Sequence, residues 1–194
     1  MRSRPIRTTC VTAALAVVAG SLSASAMVVA QRDFADLVAR AEQIVVGTVT
    51  AVREADDGVG APATYVTFSE LRVVKGDARD TLTLRFYGGT SGSVVVHIPD
   101  MPTFAVGERA VLFVAGNGRD VCPLVGVWQG RFRVRFDASR GADVVETDDR
   151  VPVLGVAGRK LLRGTRTTDA SAAVSLDDFL DAINGELAAP TGAK

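Results

Sequence analysis

Disulfide-forming and metal-ligating residues are scarce in this chain: cysteine occurs twice and histidine once. Cys10 lies within the N-terminal 26 residues, which read as a targeting signal, so a mature chain keeps Cys122 alone and can form no intramolecular disulfide. Its stability must then come from a packed core, and about 168 residues suffice for one domain. A conventional zinc site needs four ligands from Cys, His and carboxylate, so it would require His97 and Cys122 to converge across the fold. A His-based catalytic triad has only one candidate base. No N-x-[ST] sequon, no D-x-[DN]-x-[DN]-G calcium loop and no second apolar run of about 20 residues is present. No cofactor is implied, and no transmembrane segment is expected after signal removal.

Charge of one sign is also lacking, with 22 basic and 22 acidic residues. Taking away Arg2, Arg4 and Arg7 with the signal while every acid remains gives a net charge of −3. A chain of this balance has no general attraction to nucleic acid or anionic membrane, and nucleic acid is not expected as a partner.

The signal itself has three parts: the n-region with those arginines, an apolar core from Val11 to Leu22, and the A-x-A site Ala24-Ser25-Ala26. Cleavage near Met27 is expected, with Val28-Val29-Ala30 as a second small-residue site. The expected organisation is a signal peptide over 1–26, one domain over 27–188 and a disordered tail over 189–194. The expected location is secreted or periplasmic. Cys122, between Val121 and Pro123, reads as a buried inert thiol, the alternative being a reactive or intermolecular one.

Along the mature chain, Phe34, Leu37, Val38 and Ala41 fall at helical spacing behind Asp33 as a cap. Strands are expected over Ile44–Val52, Thr64–Val74, Thr81–Tyr87, Ser93–Ile98 (short, edge), Ala110–Val114 and Val144–Thr147. Val121–Val127 and Gly130–Phe136 read as one long strand bent by a bulge at Gly130. Arg163–Ala173 is a polar linker. Ser175 then opens a helix with Asp178 in the capping position and a stripe of Leu176, Phe179, Leu180, Ile183 and Leu187. Many short strands without a strand–helix alternation predict a mainly β fold, an antiparallel barrel or sandwich.

Several stretches carry a resemblance: Phe34-Ala-Asp-Leu-Val-Ala-Arg-Ala-Glu-Gln-Ile-Val-Val-Gly-Thr-Val, Tyr65-Val-Thr-Phe, Val73-Val-Lys-Gly, Gly88-Gly, Phe104-Ala-Val-Gly-Glu-Arg and Val125-Gly-Val-Trp-Gln-Gly-Arg-Phe. Together, over residues 33–136, they resemble exported bacterial proteins of unknown function with an OB-like barrel similar to netrin-type and metalloproteinase-inhibitor (TIMP) domains. The resemblance implies an OB-like barrel with a short N-terminal helix and a C-terminal amphipathic helix, and it makes a secreted protease a conceivable partner. Animal inhibitors of that type chelate the target's zinc through a disulfide-tethered N-terminal cysteine. That cysteine has no counterpart here, so only the scaffold transfers.

Three features are candidate partner-binding sites. Gly88-Gly89, opening a loop to Ser93, is followed by a β-branched strand and not by the Lys-Ser/Thr helix start of a phosphate loop, so it reads as a flexible connection at a barrel mouth. His97 and Asp100 flank Ile98-Pro99. Arg131, Arg133 and Arg135 alternate with Phe132, Val134 and Phe136, and period two sends the two sets to opposite faces. The arginines are expected on a solvent face, with an anionic partner bound there, alongside Arg85, as the functional alternative; the phenylalanines are expected in the core. Asp56-Asp57, Asp148-Asp149 and Asp177-Asp178 read as solvated turns and a helix cap. The expected function is an exported, non-enzymatic protein-binding module using the loops Gly88–Ser93 and Pro99–Phe104, the alternative being a secreted hydrolase with dispersed carboxylates.

Overall fold

The computed structural model describes residues 30–77, 79–168 and 170–189. The expected signal peptide over 1–26, and the expected tail from Pro190 on, lie outside them. The fold is mainly β and antiparallel: α1 (Phe34–Arg40), β1 (Gln43–Asp56), β2 (Pro62–Lys75), β3 (Leu82–Tyr87), β4 (Gly89–Ser91), β5 (Val94–Val96), β6 (Arg109–Val114), β7 (Arg131–Asp137), β8 (Ala142–Thr147), β9 (Val153–Ala157), β10 (Lys160–Arg163) and α2 (Leu176–Ala188). Six strands make one sheet in the order β3-β2-β1-β6-β7-β8, while β4-β5 and β9-β10 are separate hairpins. The edge strands β3 and β8 do not pair with each other, so this sheet is open. No helix among the described residues is long and apolar enough to cross a membrane.

Both helices start where their caps stand. The Asp33 carboxylate accepts from the Asp36 N–H at 2.7 Å. Ser175 Oγ accepts from the Asp178 N–H at 3.2 Å and donates to the Asp178 carboxylate at 2.6 Å, a side-chain variant of the capping box. Leu176, Phe179, Leu180 and Ile183 are buried, but Leu187 at the end of the stripe is exposed.

Period two along the strands gives the sheet two apolar faces, each with its own core. Ile44 and Val46 of β1, Val111 and Phe113 of β6, and Phe132 of β7 pack with Phe34, Leu37, Phe179 and Ile183 of the helices. Val45 and Val49, with Ala110, Leu112 and Val114, face the other way, into the curl of β2 and β3, against Phe68, Leu84 and Phe86. The β1–β2 ladder shifts register between Val46 and Thr48, where Glu70 takes a left-handed φ of 54°.

Three sequence expectations are corrected. Val121–Val127 is not a strand: only Leu124 bridges, to Val114, and Val127–Gly130 is a 3-10 turn. Pro123 has no N–H for a ladder, and Gly126 and Val127 are consecutively left-handed, so the segment reverses. The strand that follows is displaced from its expected start only by Gly130, whose place against Val125 tolerates no side chain: an added Cβ would lie 2.6 Å from the Val125 carbonyl oxygen. Secondly, β9 and β10 were not anticipated; they are joined through Gly158, left-handed at φ 55°. Thirdly, Phe136 shares a face with Phe132 yet is 63% exposed, because it sits beside the turn at the end of β7 and no core reaches it.

Candidate functional site

The arginine strand is the largest departure from expectation. Arg131 is 1% exposed, not on a wet face. Its guanidinium lies over the Phe104 ring, donates to the Thr103 carbonyl at 2.6 Å and to Glu108 at 2.6 Å, and stands 3.0 Å from Asp148 as an ion pair. Arg133, half-buried, donates to Glu108 at 2.8 Å and to the Asp148 carbonyl at 2.9 Å, and Arg135 donates to Glu146 at 2.9 Å. Arg85 is paired with Asp57 at 3.4 Å. The charge these arginines would offer an anionic partner is matched within the chain.

The cluster pushes its two carboxylates in opposite directions. Burial raises Asp148 above the ordinary carboxylate value, against the pull of Arg131 and Arg133. Burial also opposes ionisation of Glu108, but the Ala105 N–H, the Arg133 hydrogen bond and the charges of both arginines outweigh it and hold Glu108 low. Burial lowers Arg131 itself.

Two recesses bear on the candidate residues. One, of about 340 Å³, lies between the β4–β5 hairpin and residues 98–104, with Val66, Phe86, Met101 and Phe104 in its wall. It gathers three of the candidates, Gly88, Gly89 and His97, the last of which is exposed and just past β5. Asp100 is left in the following turn at a left-handed φ of 60° and does not line the groove. Gly88 and Gly89 form a crease: the Gly88 carbonyl accepts from Thr64 Oγ1 at 2.8 Å, and an added Cβ on Gly89 would lie 2.8 Å from that hydroxyl oxygen. Glu54 accepts the Thr90 N–H at 2.9 Å, fixing the hairpin across β1 and β2. Among the described residues, the outer edge of β5 has no backbone hydrogen-bond partner, and Val95 beside it is 71% exposed.

The other recess, of about 320 Å³, lies between α1, the 127–130 turn and β10. Its lining includes Arg131 but neither Arg133 nor Arg135, so four of the seven candidates line the two recesses and Arg133, Arg135 and Asp100 line neither. It also includes Arg32, Trp128 and Gln129, which sequence reasoning did not select. The only signal they gave was a lone tryptophan between two glycines. Gln129 is buried and spans the segment before α1, accepting the Arg32 N–H at 2.8 Å and donating to the Ala30 carbonyl at 3.0 Å. Val127, β-branched at φ 60°, carries strain on the order of 1–3 kcal/mol in the turn that holds Trp128. Among the described residues no three His, Cys, Asp or Glu side chains are grouped to hold a metal ion.

Comparison of the chain with protein-family models, curated proteins and solved structures returns no match.

Proposed function

We propose that this protein is an exported, non-enzymatic interaction module with an OB-like scaffold, which takes an extended segment of a partner protein along β5. The observation that carries the reading is the open edge of β5 above an apolar groove. Strand addition needs free N–H and C=O groups at an edge, and pockets beside it for alternate side chains. The two edges of the six-stranded sheet are partly occupied. Asn117 bonds both the Arg85 N–H and the Thr83 carbonyl beside β3, and β8 is covered by the Val174 carbonyl and by Val151. The OB-like reading is supported by β1 lying between β2 and β6, with β2 and β3 curled over the second core, as in a partly open Greek-key barrel. The export reading rests on the N-terminal sequence, and a secreted protease is the partner class to which the resemblance points.

A test is capture from culture supernatant on the immobilised protein, with Val95→Pro removing an edge N–H and Val59→Asp as an exposed-loop control. A partner retained by the control and lost by Val95→Pro supports the reading. Equal capture by both variants overturns the β5 edge as the contact. Hydrolase chemistry has one observation in its favour, the opposed shifts of Glu108 and Asp148, a pattern seen in acid–base pairs. Because both carboxylates already hold Arg131, the binding reading is preferred.

A further inference from the structure

The recess beside α1 combines an apolar wall with two cations, Arg32 and Lys160, that have no acidic partner among the described residues. Phe34, Leu37, Phe132, Leu161 and Trp128 supply the apolar part. Four cations and two carboxylates line it. Both carboxylates are committed: Asp33 caps α1 and pairs with Arg159, and Asp148 pairs with Arg131 and Arg133. Of the cations, Arg131 is held in its cluster and Arg163 pairs with Asp149 at 3.0 Å. Among the described residues, Arg32 and Lys160 have no acidic partner.

Two buried donors sharpen the charge argument. Arg32 Nε and Arg131 Nε are both shielded from solvent without a hydrogen-bond acceptor, and a buried donor left unpaired costs about 1–3 kcal/mol. Both belong to residues lining this recess. Arg32 is also held by its backbone, through the Gln129 amide that ties residues 30–32 to the strained turn carrying Trp128. A segment whose backbone is fixed in this way has less ordering left to lose when it meets an anion. The volume, roughly ten times the ~30 Å³ share of one water, is that of a small-molecule site.

We propose that this recess binds a small amphipathic carboxylate, its apolar body against Trp128 and Phe34 and its head group on Arg32 and Lys160. This site is separate from the β5 groove and does not depend on it.

Trp128 is the only tryptophan in the chain, so its emission reports on the recess directly. The experiment titrates the purified protein with decanoate and, separately, with decanol, both below their aggregation limits. Calorimetry runs in parallel so that a silent Trp128 cannot hide binding. Saturable binding of decanoate, at least about tenfold tighter than decanol, is expected. Arg32→Gln should weaken decanoate at least about tenfold with decanol unchanged, while the thermal midpoint stays within about 2 °C. Lys160→Gln, at an exposed position, provides a second variant with the same expectation should Arg32→Gln disturb the fold. Absence of saturable heat and emission change, equal affinity for the acid and the alcohol, or decanoate binding unaltered in both variants would each overturn the proposal.

Discussion

The guanidinium carbon of Arg131 lies 3.9 Å from the centre of the Phe104 ring, while its terminal nitrogens reach Glu108 and Asp148. One cation on β7 therefore joins two segments distant from it in sequence: the loop before β6, with Phe104 and Glu108, and the turn after β8, with Asp148. Phe104 continues into the second core, edge-on to Phe68 with ring centres 5.5 Å apart. The ion cluster and the apolar core thus share a wall.

Arg131→Ala should lower stability by about 3–5 kcal/mol, because it leaves Glu108 and Asp148 in low-dielectric surroundings without their central cation. Arg133→Ala should cost less, since Arg131 still holds both acids. Urea unfolding of the two variants measures the difference. A cost below about 1 kcal/mol for Arg131→Ala would mean that the cluster is solvated in solution.

The two acids of the cluster should show opposite pH dependences. Glu108 has a folded pKa below its ordinary 4.5, so its contribution is complete above that value and disappears as pH falls through the lowered pKa. Asp148 has a folded pKa above its ordinary 3.8, so the stability tied to its protonated form is full below 3.8 and is lost as pH rises through the raised value. In denaturant unfolding from pH 3 to 7, the deficit of Glu108→Gln should shrink toward acid. Asp148→Asn should gain relative to the parent toward neutral pH. Parallel curves for the two variants would contradict the assignment.

Cys122 should be a slow thiol. Burial raises its pKa to about 11, with Asp120 adding to the effect and a backbone hydrogen bond at Leu124 opposing it. At pH 8 the thiolate fraction is then about one part in a thousand. In a Cys10→Ser chain, the reaction of Cys122 with an aromatic disulfide reagent should be at least about tenfold slower in the folded protein than in urea. Comparable rates would show the thiol to be open and ionisable.

The regular elements were legible because their signals are local. Asp33 and Ser175 mark helix starts, and the β-branched alternation from Ile44 and from Thr64 places β1 and β2 to within a few residues. The facing of β7 was legible too, but not which of its faces was wet. Period two separates Arg131 from Phe132 without revealing that a second core lies under the arginines, or that Glu108, 23 positions away, neutralises one of them. Val121–Val127 failed for a related reason: its composition suits a strand, while Pro123 and the left-handed pair Gly126–Val127 decide the path. For the recess beside α1 the limit was distance along the chain, since Gln129 meets Arg32 across 97 positions.

Sharing of strands between the two cores has a further consequence. β1 and β6 place alternate side chains in each, so neither core can lose its packing while those two strands remain ordered for the other. The helices cannot melt away as a separate layer without exposing the inner strands on which β2 and β3 also rest. Damage on either side of the sheet should therefore be felt on the other, and the described domain should come apart in one cooperative step.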